Sequence, residues 1–424
     1  MTTTSGIKKR TRRAIYDFIR EQGMATQNDI AAALGISLPT VSKYLKHFMA
    51  AGLLEQGAKL SSGANGGRSP IAYACVADGR LAVGVDVTRD RVTCLVVNLE
   101  REVLVLRHSR RAFDRSDAYF EFVGKEVNAM IDEAGVDRTR ILGAGVAVPG
   151  LISETAGQVT YGRVIDNYGI TAADFARYLP FPTCLVHDSD AAGLAEFWPN
   201  QSVENAFYIS LSNSIGGSVL INDEIYRGDG EFAGEIGHLR IHEGGLRCYC
   251  GQDGCVDAYC NAGVLSRQAG GSLEAFFDRL AGGDPALADV WDRYTSDLAR
   301  AIHNIRVLFG CTIILGGDVG AHIRDHMDGL RSKVDRLSFL ASHSEKFLVP
   351  CTYTSQPVAT GAALYIVDEF RQDLGPVQPR PGGTSGRTVP RAGLRLAPLG
   401  SDEDAPARPA SPARDGRVPG RVSP

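Results

Sequence analysis

No stretch of this 424-residue chain stays apolar for the length of a membrane span, and its opening, MTTTSGIKKRTRR, leads into no signal-peptide core. Those absences argue against an inserted or exported protein and imply the cytoplasm, where thiols stay reduced. A strong net charge is missing too: 45 Lys and Arg against 49 Asp and Glu leave −4. That near-neutral total hides an asymmetry, because the first seventy residues are clearly basic and the remainder is acidic. Such a division suggests one module for nucleic acid and another for something else. An even number of cysteines is also absent, and nine of them disfavour a complete disulfide framework. No short-period internal repeat is evident. What is there, 44% hydrophobic and 22% charged residues, is the composition of a globular protein long enough for two or more domains.

Three segments follow from the patterning. Residues 8–75 read as short helices followed by a Gly-rich ribbon, and 79–370 as strands alternating with helices, the mark of an α/β architecture. From 371 to 424 the chain turns to Pro, Gly, Arg and Ser, with too little apolar surface to offset its ordering entropy, so a disordered tail is expected there.

In the first segment, Ile15, Phe18 and Ile19 share one face of an amphipathic helix. Thr26 is a good N-cap with Asp29 three residues on, and that second helix stops at Gly35. A third helix, SLPTVSKYLKHFMAAGLL, has Ser37 placed to cap and Pro39 at an early position, and turns Val41, Leu45, Phe48 and Met49 inward. Thr40, Ser42, Lys43, Lys46 and His47 then face outward, a polar and basic set suited to a major groove. Two short strands around a Gly-rich loop form a wing, with Arg68 placed to reach a minor groove or a phosphate. The order of helix, tight turn, helix and wing predicts a winged helix-turn-helix that binds DNA.

The long segment opens with a predicted three-strand meander, RLAVGVDVTRDRVTCLVVNLEREVLVLRHS, and a second set of strands begins near ENAFYISLSNSIGGSVLINDEIYRG. Within it, RCYCGQDGC holds three cysteines in nine residues. By themselves they fit a disulfide staple, a redox pair or three quarters of a metal site. The motifs GVAVPGLIS, HDSDAAGLAE, GEIGH and CYCGQDGC, together with the winged helix, resemble the ROK family of repressors and sugar kinases over residues 8 to about 370.

That resemblance implies an actin-like, ribonuclease H-like body of two lobes. It also supplies a fourth ligand, because the family pattern runs from a His through nine residues to C-x-C-G-x-x-G-C. His238, Cys248, Cys250 and Cys255 fall at those positions. One imidazole and three thiolates make a closed tetrahedral shell, which implies structural Zn²⁺; C-x-C spacing argues against a redox pair. By the same resemblance, a sugar pocket takes Gly150, Asp188, Glu235, His238 and Asp257, with His187 beside Asp188. In kinases of the family, the residue matching Asp188 is the general base. Two positions depart from the pattern: His187 stands where the kinases have Asn, and Asp257 where the family usually has Glu, one methylene longer and so different in reach.

The kinase pattern D-x-G-G-T falls at Asp86–Asp90, where the chain reads DVTRD, and the second phosphate loop, G-T-G-x-G-G-G, reads SNSIGGS at 212–218. Glycines that let backbone amides approach phosphates are lost twice. The expected protein is therefore a non-enzymatic regulator, a repressor that binds operator DNA as a homodimer or dimer of dimers and senses a sugar or sugar derivative. An ATP-dependent sugar kinase with a DNA-binding domain, and a regulator controlled by a protein partner, are the alternatives.

Overall fold

The computed structural model describes residues 4–59, 71–153, 156–197, 203–222, 224–339 and 343–373. Arg68 and nearly all of the expected tail lie outside them. The N-terminal module comprises α1 (Thr4–Gln22), β1 (Met24–Thr26), α2 (Gln27–Leu34), α3 (Leu38–Ala50), β2 (Leu54–Lys59) and β3 (Ile71–Cys75). Its boundaries follow from caps. The Thr26 hydroxyl accepts from the Asp29 amide at 3.2 Å while Asp29 accepts from the Thr26 amide at 3.0 Å, a reciprocal box that starts α2. Gly35 ends α2 at φ 61, in the left-handed region. Ser37 occupies the N-cap of α3 but forms no side-chain cap; its hydroxyl bonds that of Thr40 at 2.9 Å instead. Strand β1, absent from the sequence expectation, completes a sheet of order β1-β3-β2.

The body begins with β4 (Leu81–Val87), β5 (Arg91–Asn98), β6 (Val103–Arg110), α4 (Asp117–Glu133), β7 (Ile141–Val148), β8 (Leu151–Ser153), β9 (Gln158–Tyr161), α5 (Ala172–Ala176), β10 (Thr183–His187) and α6 (Asp188–Phe197). The expected meander is present: β4–β5–β6 pair antiparallel, with β7 parallel to β4 and β10 parallel to β7, in the order β10-β7-β4-β5-β6. The second lobe holds β11 (Asn205–Leu211), β12 (Ile215–Ile221), β13 (Glu224–Ile225), α7 (Val256–Cys260), α8 (Ala262–Ser266), α9 (Leu273–Ala281), α10 (Pro285–Phe309), β14 (Thr312–Gly316), α11 (Gly317–Ile323), α12 (Met327–Leu337) and β15 (Leu348–Pro350). Its sheet runs β13-β12-β11-β14-β15.

The last helix, α13 (Pro357–Asp373), returns to the first lobe and packs on β4, β7 and α6. Its approach is close because small residues face it: a Cβ on Gly145 would lie 2.0 Å from the Ala362 carbonyl oxygen, and one on Gly361 only 1.6 Å from that of Ala191. The far end of α13 meets the N-terminal module. Leu364, Val367 and Phe370 share one apolar core with Ile15, Ile19 and Phe48, and Arg371 donates to Asp17 at 2.5 Å. Tyr16, which stands outside the apolar stripe expected of α1, is buried in that core with its ring edge-on to Phe48.

Candidate DNA interface, effector pocket and metal centre

On α3, Val41, Leu45 and Phe48 are buried, Met49 is half-buried, and Lys43, Lys46 and His47 are exposed; Thr40 and Ser42 are partly covered. The helical period of 3.6 produces this division, since apolar residues at i, i+4 and i+7 consume one face and leave the basic one to solvent. The geometry suits insertion into a groove with Lys43 and Lys46 toward phosphates. Replacing Lys46 with Ala should weaken binding to all duplexes alike and lower the slope of log affinity against log salt by about 1. Fluorescence anisotropy across salt concentrations reads both, and an unchanged slope would remove Lys46 from the interface.

In the second lobe a turn at Glu235–His238 and the loop 248–255 converge. The ligand atoms of His238, Cys248, Cys250 and Cys255 all lie within 4.8 Å of one another. Cys250 Sγ is 3.9 Å from Cys255 Sγ, and His238 Nδ1 is 3.7 Å from Cys248 Sγ. Four donors on a tetrahedron with metal–sulfur bonds of about 2.3 Å would be separated by about 3.8 Å, so the set fits a tetrahedral thiophilic ion. The loop can turn this tightly because Gly254 has φ 81 and lies against His242, whose carbonyl oxygen a Cβ would approach to 1.6 Å. Cys260 is fully buried, its thiol 3.9 Å from the Tyr294 carbonyl, apart from the four ligands.

The other nitrogen of His238 faces a second group. Nε2 is 3.9 Å from Glu235 Oε2 and 3.3 Å from the Tyr249 hydroxyl. Glu235 Oε1 lies 4.0 Å from His187 Nε2, and that nitrogen is 3.3 Å from Asp188 Oδ1. His187, Asp188, Glu235 and His238 thus form one polar cluster. His187 ends β10 and Asp188 opens α6, where the helix N-terminus favours a carboxylate. Burial raises the carboxyl pKa of Asp188 and of Glu235, with the His187 charge opposing both. For His187, burial favours the neutral ring, yet Asp188, Asp190 and Glu235 outweigh it and raise its pKa.

Asp257 and Gly150, expected in the pocket, also make contacts within the chain, as does Arg227. Asp257 is buried and accepts from the Ile215 amide at 2.6 Å, so one carboxylate oxygen anchors the start of β12. Gly150, at φ 113, lies against Tyr161, whose carbonyl oxygen a Cβ would meet at 2.3 Å. Its glycine is therefore required by the chain's own packing. Arg227 is held by Asp190 at 3.2 Å. No local pattern signals Tyr249 beside His238, nor Asn167, which is buried and donates to the Pro149 carbonyl at 2.8 Å.

On the phosphate side, the turn 88–90 is closed upon itself. The Thr88 amide donates to the Arg91 carbonyl at 3.0 Å, and the Arg89 side chain crosses to the Val164 carbonyl. In the second loop, Ser212 Oγ accepts from the Asp318 amide at 3.1 Å, and Asp257 has taken the Ile215 amide. Asp86 is buried, and burial together with Asp188 lifts its carboxyl pKa to about 7. On this side the amides of Thr88, Ile215 and Asp318 are therefore bonded within the chain.

Comparison with known proteins agrees with this architecture. The ROK family model matches residues 82–369, and a winged helix-turn-helix DNA-binding model matches 8–55. The Xylose repressor of Bacillus spizizenii is 23% identical over 380 residues, covering 86% of this chain and 96% of that protein. A solved ROK family transcriptional regulator, described as a homologue of the Escherichia coli MLC protein, superposes with a TM-score of 0.73 at 20% identity over 87% of this chain and 98% of that one. A ROK family glucokinase from Streptomyces griseus, solved with glucose and AMPPNP, matches the body with a TM-score of 0.57 at 21% identity, covering 67% of this chain and 98% of its own. The two-lobed body with its cluster of one histidine and three cysteines, joined to a winged helix-turn-helix, identifies the chain as a member of the ROK family.

Proposed function

We propose that this protein is a repressor that binds operator DNA through α3 and releases it in response to a sugar or sugar derivative, without phosphorylating that ligand. The observation that carries the reading is the contrast within one body: a polar cluster of His187, Asp188, Glu235 and His238, and a second region where the amides of Thr88, Ile215 and Asp318 are already bonded within the chain. Carboxylates that accept from adjacent hydroxyls suit a polyol. The name of the Bacillus relative, Xylose repressor, supports the same class. Zn²⁺ at His238, Cys248, Cys250 and Cys255 would be structural, since four protein ligands leave no open position. A two-fold dimer, or a dimer of dimers, would match paired half-sites.

A route for coupling supports the proposal. Asp188 opens α6, and Glu196 near its end accepts from the Thr352 and Tyr353 amides at 2.8 and 2.6 Å, in the segment that leads into α13. Helix α13 carries the contact on to α1 through Phe370 and Arg371. A ligand that binds one arrangement of these helices better than the other shifts operator affinity by that difference.

The test is Asp188→Asn. Operator affinity should stay within about twofold, while effector affinity should fall by about 1.5–3 kcal/mol, roughly 10- to 150-fold, for a lost charge-assisted hydrogen bond. Anisotropy on labelled operator, titrated with a panel of sugars and amino sugars, reads both. ATP-dependent phosphorylation of any panel member by the wild type, lost in the variant, would replace the sensor with a kinase. An operator complex indifferent to every saccharide would favour control by a protein partner.

A further inference from the structure

Strands β5 and β6 place Arg91 directly opposite Arg110, and Thr93 opposite His108. Residues opposed on an antiparallel pair share a face, so two guanidiniums stand side by side with an imidazole one step along. Like charges in that relation oppose pairing unless something negative lies between them. Among the described residues, neither guanidinium has a hydrogen bond or an ion pair within 4.0 Å, although the charge of Arg91 reaches the carboxyls of Asp86 and Asp318, where it opposes the rise in pKa that burial causes. The imidazole is oriented: His108 Nδ1 is 3.1 Å from Thr93 Oγ1, which leaves Nε2 for another partner.

These side chains line a cavity of about 410 Å³ together with Asp90, Ser109 and Gln356. Alternation along β5 puts Arg91 on the face of Leu95 and Val97, which pack with Ala359 and Ala363 of α13. The cavity is therefore on the α13 side of the sheet, behind the closed 88–90 turn. Gln356, on its wall, is a non-glycine residue at φ 53, and it immediately precedes the seventeen-residue α13. Backbone held in that region marks a place where the surroundings impose a conformation. The first turn of α13 contains no acidic residue, so its amides are not offset by a side-chain charge of their own. Ser109 contributes no donor, because its hydroxyl already donates to Glu126. Asp90 is the one carboxylate among the lining residues, and Asp86 and Asp318 sense the Arg91 charge from beyond the wall, so Arg110 and His108 are the donors least offset by acidic neighbours.

We propose that this cavity binds a phosphate-type oxyanion between Arg91 and Arg110, with His108 as a third donor. Planar guanidiniums match tetrahedral oxyanions in forked pairs, and two of them satisfy the charge of a dianion. The anion would tie the first-lobe sheet to the segment entering α13. Its source is either free phosphate or the phosphoryl group of a larger molecule. The proposal stands apart from the sugar-sensor reading, since none of its residues belongs to that pocket.

The experiment is isothermal titration of the full chain with inorganic phosphate, with chloride at matched ionic strength as control, followed by glucose 6-phosphate against glucose. Arg91→Ala and Arg110→Ala are compared with Arg293→Ala on α10, an arginine exposed as they are but outside the cavity. Saturable one-site binding of phosphate, weakened at least tenfold in both cavity variants and unchanged in Arg293→Ala, supports the free anion. Binding of glucose 6-phosphate alone, abolished by the same two variants, supports a phosphorylated ligand. The proposal fails if wild type binds neither, if chloride titrates like phosphate, or if the cavity variants bind as tightly as wild type.

Discussion

Removing the Zn²⁺ proposed at His238, Cys248, Cys250 and Cys255 should abolish the effector response while leaving operator binding largely intact. One residue joins the two sites: His238 turns Nδ1 to the thiols and Nε2 toward Glu235. Without the ion, four donors that must converge within 4.8 Å have nothing to hold them, and Glu235 loses its fixed place. In isolated zinc-finger peptides such an ion contributes about 10 kcal/mol or more of folding energy. Here most of the second lobe has its own core, so the loss should be confined to residues near 235–260. The expected result for Cys250→Ser, or for chelation, is a melting midpoint lower by roughly 5 °C. Effector affinity should fall by more than tenfold, with operator affinity changed by less than about threefold. Elemental analysis should give one zinc per chain in the wild type and a loss in the variant. Metal-free protein with a full effector response would separate the two sites and end the argument that His238 serves both.

The second large effect is expected at Gly361. An Ala there would put Cβ 1.6 Å from the Ala191 carbonyl oxygen, a backbone atom that cannot rotate away, so α13 must shift from α6. Overpacking of this kind typically costs about 1–3 kcal/mol, and a backbone contact that cannot rotate away puts this site at the upper end. Because α13 touches α6 at one end and α1 at the other, the shift should reduce the effector-induced change in operator affinity at least tenfold. Thermal unfolding and operator titrations with and without effector measure the two effects. If Gly361→Ala proves too unstable to purify, Arg371→Ala tests the far end. It removes the partly buried contact to Asp17 while α13 keeps its packing on the sheet. A variant with intact coupling at either position would show that α13 is a strut without a signalling role.

How much is legible before folding differs by element. The caps at Thr26 and Gly35, the inward stripe of Val41, Leu45 and Phe48, and the meander of the first lobe can all be read directly, since each depends on neighbours within a few residues. The metal ligands are legible only partly. Three cysteines advertise themselves, but the fourth donor, ten residues earlier, comes from the family pattern and not from chemistry. Asp257 shows the limit: the family resemblance makes it a pocket candidate, and only the fold reveals that one of its carboxylate oxygens also holds the Ile215 amide, 42 residues away.

Local periodicity and capping chemistry thus determined α1 to α3 and the first-lobe meander, but not β1 or the missing side-chain cap at Ser37. Only the tertiary structure decided that His238 would turn one nitrogen to the thiols and the other toward Glu235, that Asp257 would take the Ile215 amide, and that α13 would join the body to α1. Each of those outcomes depends on which distant backbone atom comes within about 3 Å of a given side chain, a quantity that no local pattern encodes.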